Sequence, residues 1–456
     1  MQSLRDRPAW QEMPAQVRQR YQTGLPRDPA SLEDVCTELE DYLLPYTMGN
    51  KHPRFWGWYM GAGNFTGALG DFLAGIDGSN LGGGNTAAAQ LDSQVVGWMK
   101  EIVDFPETAT GTLTSGGSNA NLVALTVARN VMAGPNIRER GITDLAKPIR
   151  FYTSDQAHSC HQKAIEIMGL GSRSLRYIAT NAELEMDVDA LRTAIQDDIA
   201  QGFQPVCVIA AAGTTNTGAI DDIGAIHAVC KEFDLWFHVD GCIGALLKIA
   251  PANRHRVAGL EQADSVSLDP HKWLHTPFEA GCVLVRHPDH QFNTFEMHGE
   301  YLQIQERGVA SGEFLADYGL ELSRGFKALK IWMSLKEQGI EKFGRLIDQN
   351  IEQGRYLSDR IAQEPSLQQV APRPINIVCF RHVGAGGSEE VLKNRNIEIM
   401  LRIQESGLAV PSDTTVQGVH CLRVAINNHR TRMEDLDLLV DEVVRIGAIL
   451  EAAEDA

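Results

Sequence analysis

The sequence predicts an α/β fold built on a mainly parallel sheet covered by helices on both faces, and three observations predict it. Between about residues 95 and 290, helical patterns alternate with short β-branched runs, the signature of repeated strand–helix–strand units. A long amphipathic pattern over 322–363, interrupted near Gly339, follows that alternation. After Pro365 come two more strand-like stretches with helical patterns between and after them, which predicts a second, smaller α/β domain.

The elements follow in order. The first 60 residues hold one helical pattern after Pro29, with Ser31 as N-cap and Glu33 and Asp34 in the first turn. Residues 61–85 are rich in glycine and predict loop and helix packed closely together. The segment TLTSGGSNANLVAL (112–125) reads as a strand, a Ser-Gly-Gly-Ser turn and a helix. Strands are predicted at IRFYTS (149–154), PVCVIAAAG (205–213), LWFHVDG (235–241), SVSLD (265–269) and GCVLVR (281–286), then at INIVCFRH and HCLRVAIN in the C-terminal part. The expected division is an N-terminal helical segment (1–64), a large domain (65–343) and a small C-terminal α/β domain (344–456). No internal repeat or low-complexity tract is present.

Composition narrows the function classes. Of 456 residues, 43% are hydrophobic and 22% charged, which is ordinary globular composition with room for a large core. The formal net charge of −18 argues against nucleic acid or an anionic membrane as the main partner. The N-terminal 20 residues are charged throughout and carry no apolar secretory core, and no run approaches the ~18 apolar residues of a membrane span. Eight scattered cysteines form no CxxC pair; Cys207, Cys282 and Cys379 lie in strand-like runs and read as reduced core thiols. A cytoplasmic compartment is expected.

In open parallel sheets, ligands bind at the carboxyl ends of strands. Four predicted strand ends carry chemistry: Asp240 after HVD, His271 and Lys272 in DPHK, His158 after YTSDQA, and Thr214 and Thr215 after AAAG. Singly, each has a plainer reading. An acid after a strand commonly caps a helix, and a histidine there commonly only satisfies hydrogen bonds. Their co-occurrence carries the weight. The helix start at Gly117 and Ser118 offers backbone amides and a hydroxyl to an anion, and no Gly-Lys-Ser/Thr follows, so the expected anion is a single phosphate. HSCH (158–161) lacks a second ligand pair at metal spacing, so no metal is expected.

Lys272 is the unusual residue. It follows one apolar-alternating run and precedes another, so it reads as a lysine facing inward, and a buried amine is costly unless neutralised or bonded. An amine for a Schiff base, a carboxylate to keep a ring nitrogen protonated, a flat side chain over the ring and a phosphate cradle together describe pyridoxal 5′-phosphate. Lys272, Asp240, His158 and Gly117–Ser118 supply these in turn.

The chain also resembles a known family, the pyridoxal-phosphate-dependent group II amino acid decarboxylases, which include aromatic L-amino-acid and glutamate decarboxylases. The segments HPRFWGWYMG (52–61), TSGGSNANLVAL, SDQAHS, GTTNTGAIDDI, WFHVDGC, DPHKW, EYLQ and SRGFKALKIW carry the resemblance over about residues 50–335, and LRVAINNHRT (422–431) extends it more weakly. The resemblance implies the fold type I architecture of pyridoxal-phosphate transferases, with a seven-stranded, mainly parallel sheet in the large domain. It implies Lys272 as the Schiff-base lysine, Asp240 as the ring-nitrogen partner and His158 stacked on the ring. Gly117, Ser118 and His271 would hold the phosphate region, and Thr215 would lie near the ring edge or the substrate carboxylate. Tyr301 matches the mobile-loop tyrosine that reprotonates the carbon losing CO₂, on a loop with Gly308 and Gly312; relatives with phenylalanine there tend to be oxygen-using aldehyde synthases. Trp58 and Tyr59 match the aromatic stretch of the substrate pocket. A homodimer with active sites at the interface is also implied.

Three positions depart from the family. Asp269 stands where asparagine is frequent, Cys242 where alanine is common, and LGGGN (81–85) replaces a bulkier stretch. The expected reaction is decarboxylation of an L-amino acid to a primary amine. An aromatic substrate ranks first; glutamate or another polar amino acid, and a decarboxylation-dependent aldehyde synthase on the same fold, remain alternatives. Intact Lys272, Asp240 and His158 disfavour a non-enzymatic binding protein.

Overall fold

The computed structural model describes residues 4–134, 136–297, 299–300 and 303–454. The chain divides into two units, one formed by 61–349 and the other by 1–60 together with 350–456. The expected N-terminal segment and C-terminal domain are thus, in this division, parts of one unit.

Unit 61–349 is built on a seven-stranded sheet of β1 (Thr110–Thr114), β2 (Ile149–Ser154), β3 (Leu175–Ile178), β4 (Gln204–Ala211), β5 (Trp236–Asp240), β6 (Ser265–Leu268) and β7 (Gly281–Val285). The strand order is β1-β7-β6-β5-β4-β2-β3. Pairs β6–β5, β5–β4, β4–β2 and β2–β3 are parallel, while β7 is antiparallel to both β1 and β6. Six strands therefore share one direction. β4 to β7 are rich in valine and isoleucine and lose nearly all exposure, as a sheet covered on both faces requires. Ala120, Val123 and Val127 of the helix Gly117–Ala133 pack with Phe151, Ile165, Val206, Ile209 and Val283. Each large side chain so buried contributes about 1.5–3 kcal/mol.

The long helical pattern is two helices, Lys327–Gln338 and Ile340–Ala362. Gly339 separates them at φ +73°, a conformation other residues adopt only with strain. The first begins five residues later than the pattern suggests, because Arg324 is drawn inward: its guanidinium donates to Leu81 O at 2.8 Å and reaches Asp92 at 3.3 Å.

In the other unit, β8 (Leu367–Gln369), β9 (Ile377–His382), β10 (Ser412–Val416) and β11 (Val419–Ala425) form an antiparallel sheet in the order β10-β11-β9-β8. Its core gathers Val378, Phe380, Leu422, Val424, Leu439 and Val443 around Trp56. The early chain is tied in by Trp56 N donating to Val410 O at 2.8 Å and Val410 N to Arg54 O at 2.9 Å. Ser31 caps the helix Leu32–Glu38, accepting from Asp34 N at 3.1 Å. All eight cysteines are free thiols, seven of them buried. Among the described residues, no helix is long and apolar enough to cross a membrane.

Candidate active site

β1, β2, β4, β5 and β6 run the same way, so the segments leaving their carboxyl ends emerge along one edge of the sheet. These are the segments carrying Gly117, His158, Thr215, Asp240 and Lys272. The register confirms the alignment: Ala211 pairs with Asp240, and Asp240 with Ser267.

Lys272 sits on a single helical turn, Pro270–Trp273, opened by a proline at the position where a missing N–H costs nothing. Asp269 occupies the N-cap position but does not cap. Its carboxylate turns instead to Lys272, with Oδ2 2.9 Å from Nζ. Burial disfavours the ammonium, but the charges of Asp269 and Cys242, and then Asp240, outweigh it and hold Lys272 above the ordinary lysine value. The acid that departs from the family pattern therefore has a partner, and that partner is the lysine.

Asp240 ends β5 and is buried. Four groups address its carboxylate. Cys242 N donates to Oδ1 at 3.1 Å and Ser267 Oγ to Oδ1 at 3.3 Å. Asn121 Nδ2 donates to Oδ2 at 3.3 Å, and His161 Nε2 lies 2.9 Å from Oδ2. Burial alone would raise this carboxyl. The hydrogen bond and charge of His161, the Cys242 hydrogen bond and the charge of Lys272 outweigh it and hold Asp240 well below the usual carboxylate range. Lys272 and Asp240 thus lie close enough for each to shift the other's ionisation.

Behind Asp240 runs a neutral relay. His238 Nε2 lies 2.7 Å from Asn121 Oδ1, and its Nδ1 lies 2.8 Å from Ser265 Oγ. Ser267 Oγ also lies 3.0 Å from Asn121 Oδ1, so its single hydroxyl hydrogen is shared between that oxygen and Asp240 Oδ1. Burial lowers His238 to about 3, so it remains neutral and orients the Asn121 amide.

His158 is exposed, and its Nδ1 accepts from Cys160 N at 3.1 Å, which fixes the ring. Hydrogen bonding to Cys160 raises this imidazole; burial opposes that, and the charges of Asp240 and Lys272 act on it in opposite senses. Gly117 opens a 17-residue helix that no side chain caps. A Cβ at Gly117 would stand 2.3 Å from Cys242 Sγ and 2.9 Å from Asp269 Oδ2, so only glycine brings the backbone this close. The buried His271 lies alongside, its Cε1 3.3 Å from where a Cβ of Gly116 would stand, with Nδ1 accepting from Ala280 N at 3.2 Å. Ser118 is exposed, and Thr215 is half-buried in the turn after β4. A lysine amine, a carboxylate held ionised, a fixed aromatic plane and an uncapped helix start suit pyridoxal phosphate.

Three expectations fall outside this cluster. Tyr301 lies outside the described residues. Trp58 and Tyr59 belong to the other unit, where Trp58 is 55% exposed and Tyr59 is buried with its hydroxyl bonded to Asn376. The 81–85 stretch hydrogen-bonds along 309–324: Gly84 N donates to Glu313 O at 3.0 Å, Asn85 N to Val309 O at 3.0 Å and Leu81 N to Arg324 O at 2.9 Å. Sequence reasoning missed Asn121 and His238, and weighed His161 only as a metal ligand. The signal for Asn121 was its place one turn after Gly117, on the same helix face. Cys160, His161 and Asp240 do bring ligand atoms within 4.8 Å of one another.

A sequence profile described as "Pyridoxal-dependent decarboxylase conserved domain" matches residues 14–383. The chain is 31% identical over 445 residues to an aromatic-L-amino-acid decarboxylase of Bacillus atrophaeus, covering 96% of this chain and 90% of that one. It is 27% identical over 432 residues to a phenylacetaldehyde synthase of a Rosa hybrid cultivar, covering 91% and 84%. Among solved structures it superposes on Oryza sativa TDC with PLP and tryptamine at a TM-score of 0.90, with 25% identity over 98% of this chain and 94% of that one. The profile spans most of the chain, and the chain belongs to the pyridoxal-dependent decarboxylase family: it is a pyridoxal-phosphate-dependent amino acid decarboxylase.

Proposed function

We propose that the protein decarboxylates an aromatic L-amino acid to its primary amine, as a cytoplasmic homodimer. The observation that carries the site reading is the nearness of Lys272 to an Asp240 carboxylate that four polar groups address and hold ionised. The aromatic substrate is supported by the relative named for aromatic amino acids.

Pyridoxal phosphate, when bound, supplies an electron-poor ring that accepts the bond electrons left by departing CO₂. The chain's residues do the rest. Lys272 would give the amine that anchors the aldehyde, and Asp269 would hold that amine as an ammonium whenever it is not so bonded. Asp240, kept charged, holds a proton at the ring nitrogen. His158 would supply the flat side chain over the ring, and Thr215 a hydroxyl beside it. The amides at Gly117 and Ser118, with His271, take the phosphate. The Tyr301 hydroxyl would deliver a proton to the substrate α-carbon.

An aldehyde-synthase reading is favoured by the rose relative; Tyr301, a tyrosine where phenylalanine accompanies that chemistry, favours the amine. A panel of the common L-amino acids, assayed for CO₂, amine, aldehyde and ammonia, decides. Amine from tryptophan, tyrosine or phenylalanine is expected, whereas turnover of glutamate alone would overturn the substrate class. Lys272→Ala is expected to abolish turnover and the visible absorbance of the loaded enzyme; unchanged absorbance would overturn the lysine assignment.

A further inference from the structure

His161 is 1% exposed, and its Nε2 makes the shortest contact to the Asp240 carboxylate, 2.9 Å against 3.1–3.3 Å for the other three. An imidazole so enclosed costs free energy unless its polar atoms are used. It lies in the helix Cys160–Ile167, three residues after His158, so one short segment addresses both the exposed histidine and the buried acid. The remaining contacts to Asp240 come from two neutral side chains and a backbone amide, and the neutral relay through His238 ends on Asn121. Among the described groups on Asp240, only His161 is able to bring a full positive charge to Oδ2 through a hydrogen bond. Cys160 adjoins it on its own helix, with Asp240 and His238 facing it from β5.

We propose that His161 is a positioning residue for the cofactor: its hydrogen bond to Oδ2 fixes the Asp240 carboxylate in the orientation from which it holds the ring nitrogen. The proposal rests on the reading of Asp240 as ring-nitrogen partner. His161 itself touches neither substrate nor cofactor.

The test is cofactor affinity, measured by titrating apoenzyme with pyridoxal phosphate and following protein fluorescence. EDTA is present throughout, because Cys160, His161 and Asp240 offer a cation three ligands. His161→Val is expected to raise the dissociation constant about tenfold or more, the size of one charge-assisted hydrogen bond. His161→Gln, which keeps a donor near Oδ2, is expected to restore it to within about threefold. Asp240→Ala should weaken binding at least as much as His161→Val. Should His161→Val fail to fold, as judged by thermal unfolding of the apoenzyme, His161→Asn replaces it, its amide being too short to reach Oδ2. Wild-type affinity in His161→Val, or equal losses in the valine and glutamine variants, overturns the proposal while a weakened Asp240→Ala leaves the site reading standing. Wild-type affinity in Asp240→Ala overturns both.

Discussion

Asp269 Oδ2 lies 2.9 Å from Lys272 Nζ, across three residues of one helical turn, and both side chains are largely buried. Removing one partner from a buried ion pair typically costs about 3–5 kcal/mol, because the other charge loses its compensation. Asp269→Ala is therefore expected to destabilise the apoenzyme by about that amount in urea at pH 7, with Asp269→Asn intermediate. Lys272 is raised above its unfolded value. The pair's contribution is thus fully present below the ordinary lysine value and is lost as pH rises past it. The gap between wild type and variant should be constant from about pH 7 to 9; a gap that closes within that range would show that the lysine is not held charged by this acid.

Tyr301→Phe separates cofactor binding from protonation. The variant is expected to bind pyridoxal phosphate as wild type but to lose amine formation, with aldehyde, ammonia and peroxide appearing instead as dissolved oxygen is consumed. Undiminished amine would remove Tyr301 from the mechanism.

His238 is held at about 3 by burial, well below an unfolded histidine. Below about pH 6.5 the unfolded chain takes up a proton there that the folded chain refuses. Stability therefore falls as pH drops, by about 1.4 kcal/mol per unit for this residue. His238→Gln should lose about 2 kcal/mol less than wild type between pH 6.5 and 5, as judged by urea unfolding of both apoenzymes. Parallel pH curves would place the proton elsewhere.

Phe65, Leu69, Phe72, Leu73 and Ile76 share one face of the helix Phe65–Asp77, and all five are exposed. A continuous apolar stripe of this kind is what a self-associating surface needs. If the proposed homodimer forms through this face, Phe72→Glu is expected to give monomer in light scattering where wild type gives dimer. A variant that remains dimeric would exclude this face from the interface.

The interior strands were legible because their chemistry is local. IRFYTS and the β5, β6 and β7 segments carry enough β-branched and apolar residues to announce themselves within a residue or two of their bounds. β3 (LRYI) was not legible: it is an edge strand with a half-exposed arginine and an exposed tyrosine, and its pairing with β2 defines it more than its own residues do. β10 (SDTTV) is polar for the same reason. In the site, Lys272 and Asp240 could be named from the segments around them. Asn121 and His238 could not, because their meaning comes from contact with each other across 117 positions of sequence. Asp269 shows the same limit: as one letter it looks like a misplaced charge, and only its rotation away from the cap reveals a partner.

The unit that joins residues 1–60 with 350–456 has a consequence for biosynthesis. Its first portion leaves the ribosome early, and the strands that shelter Trp56 are translated last. At about 5–20 residues per second, the intervening stretch takes roughly 15–60 s to make. Throughout that interval Phe55 and Trp56 await Val410 and Leu422, so their apolar surfaces stay without their native cover while the rest is made.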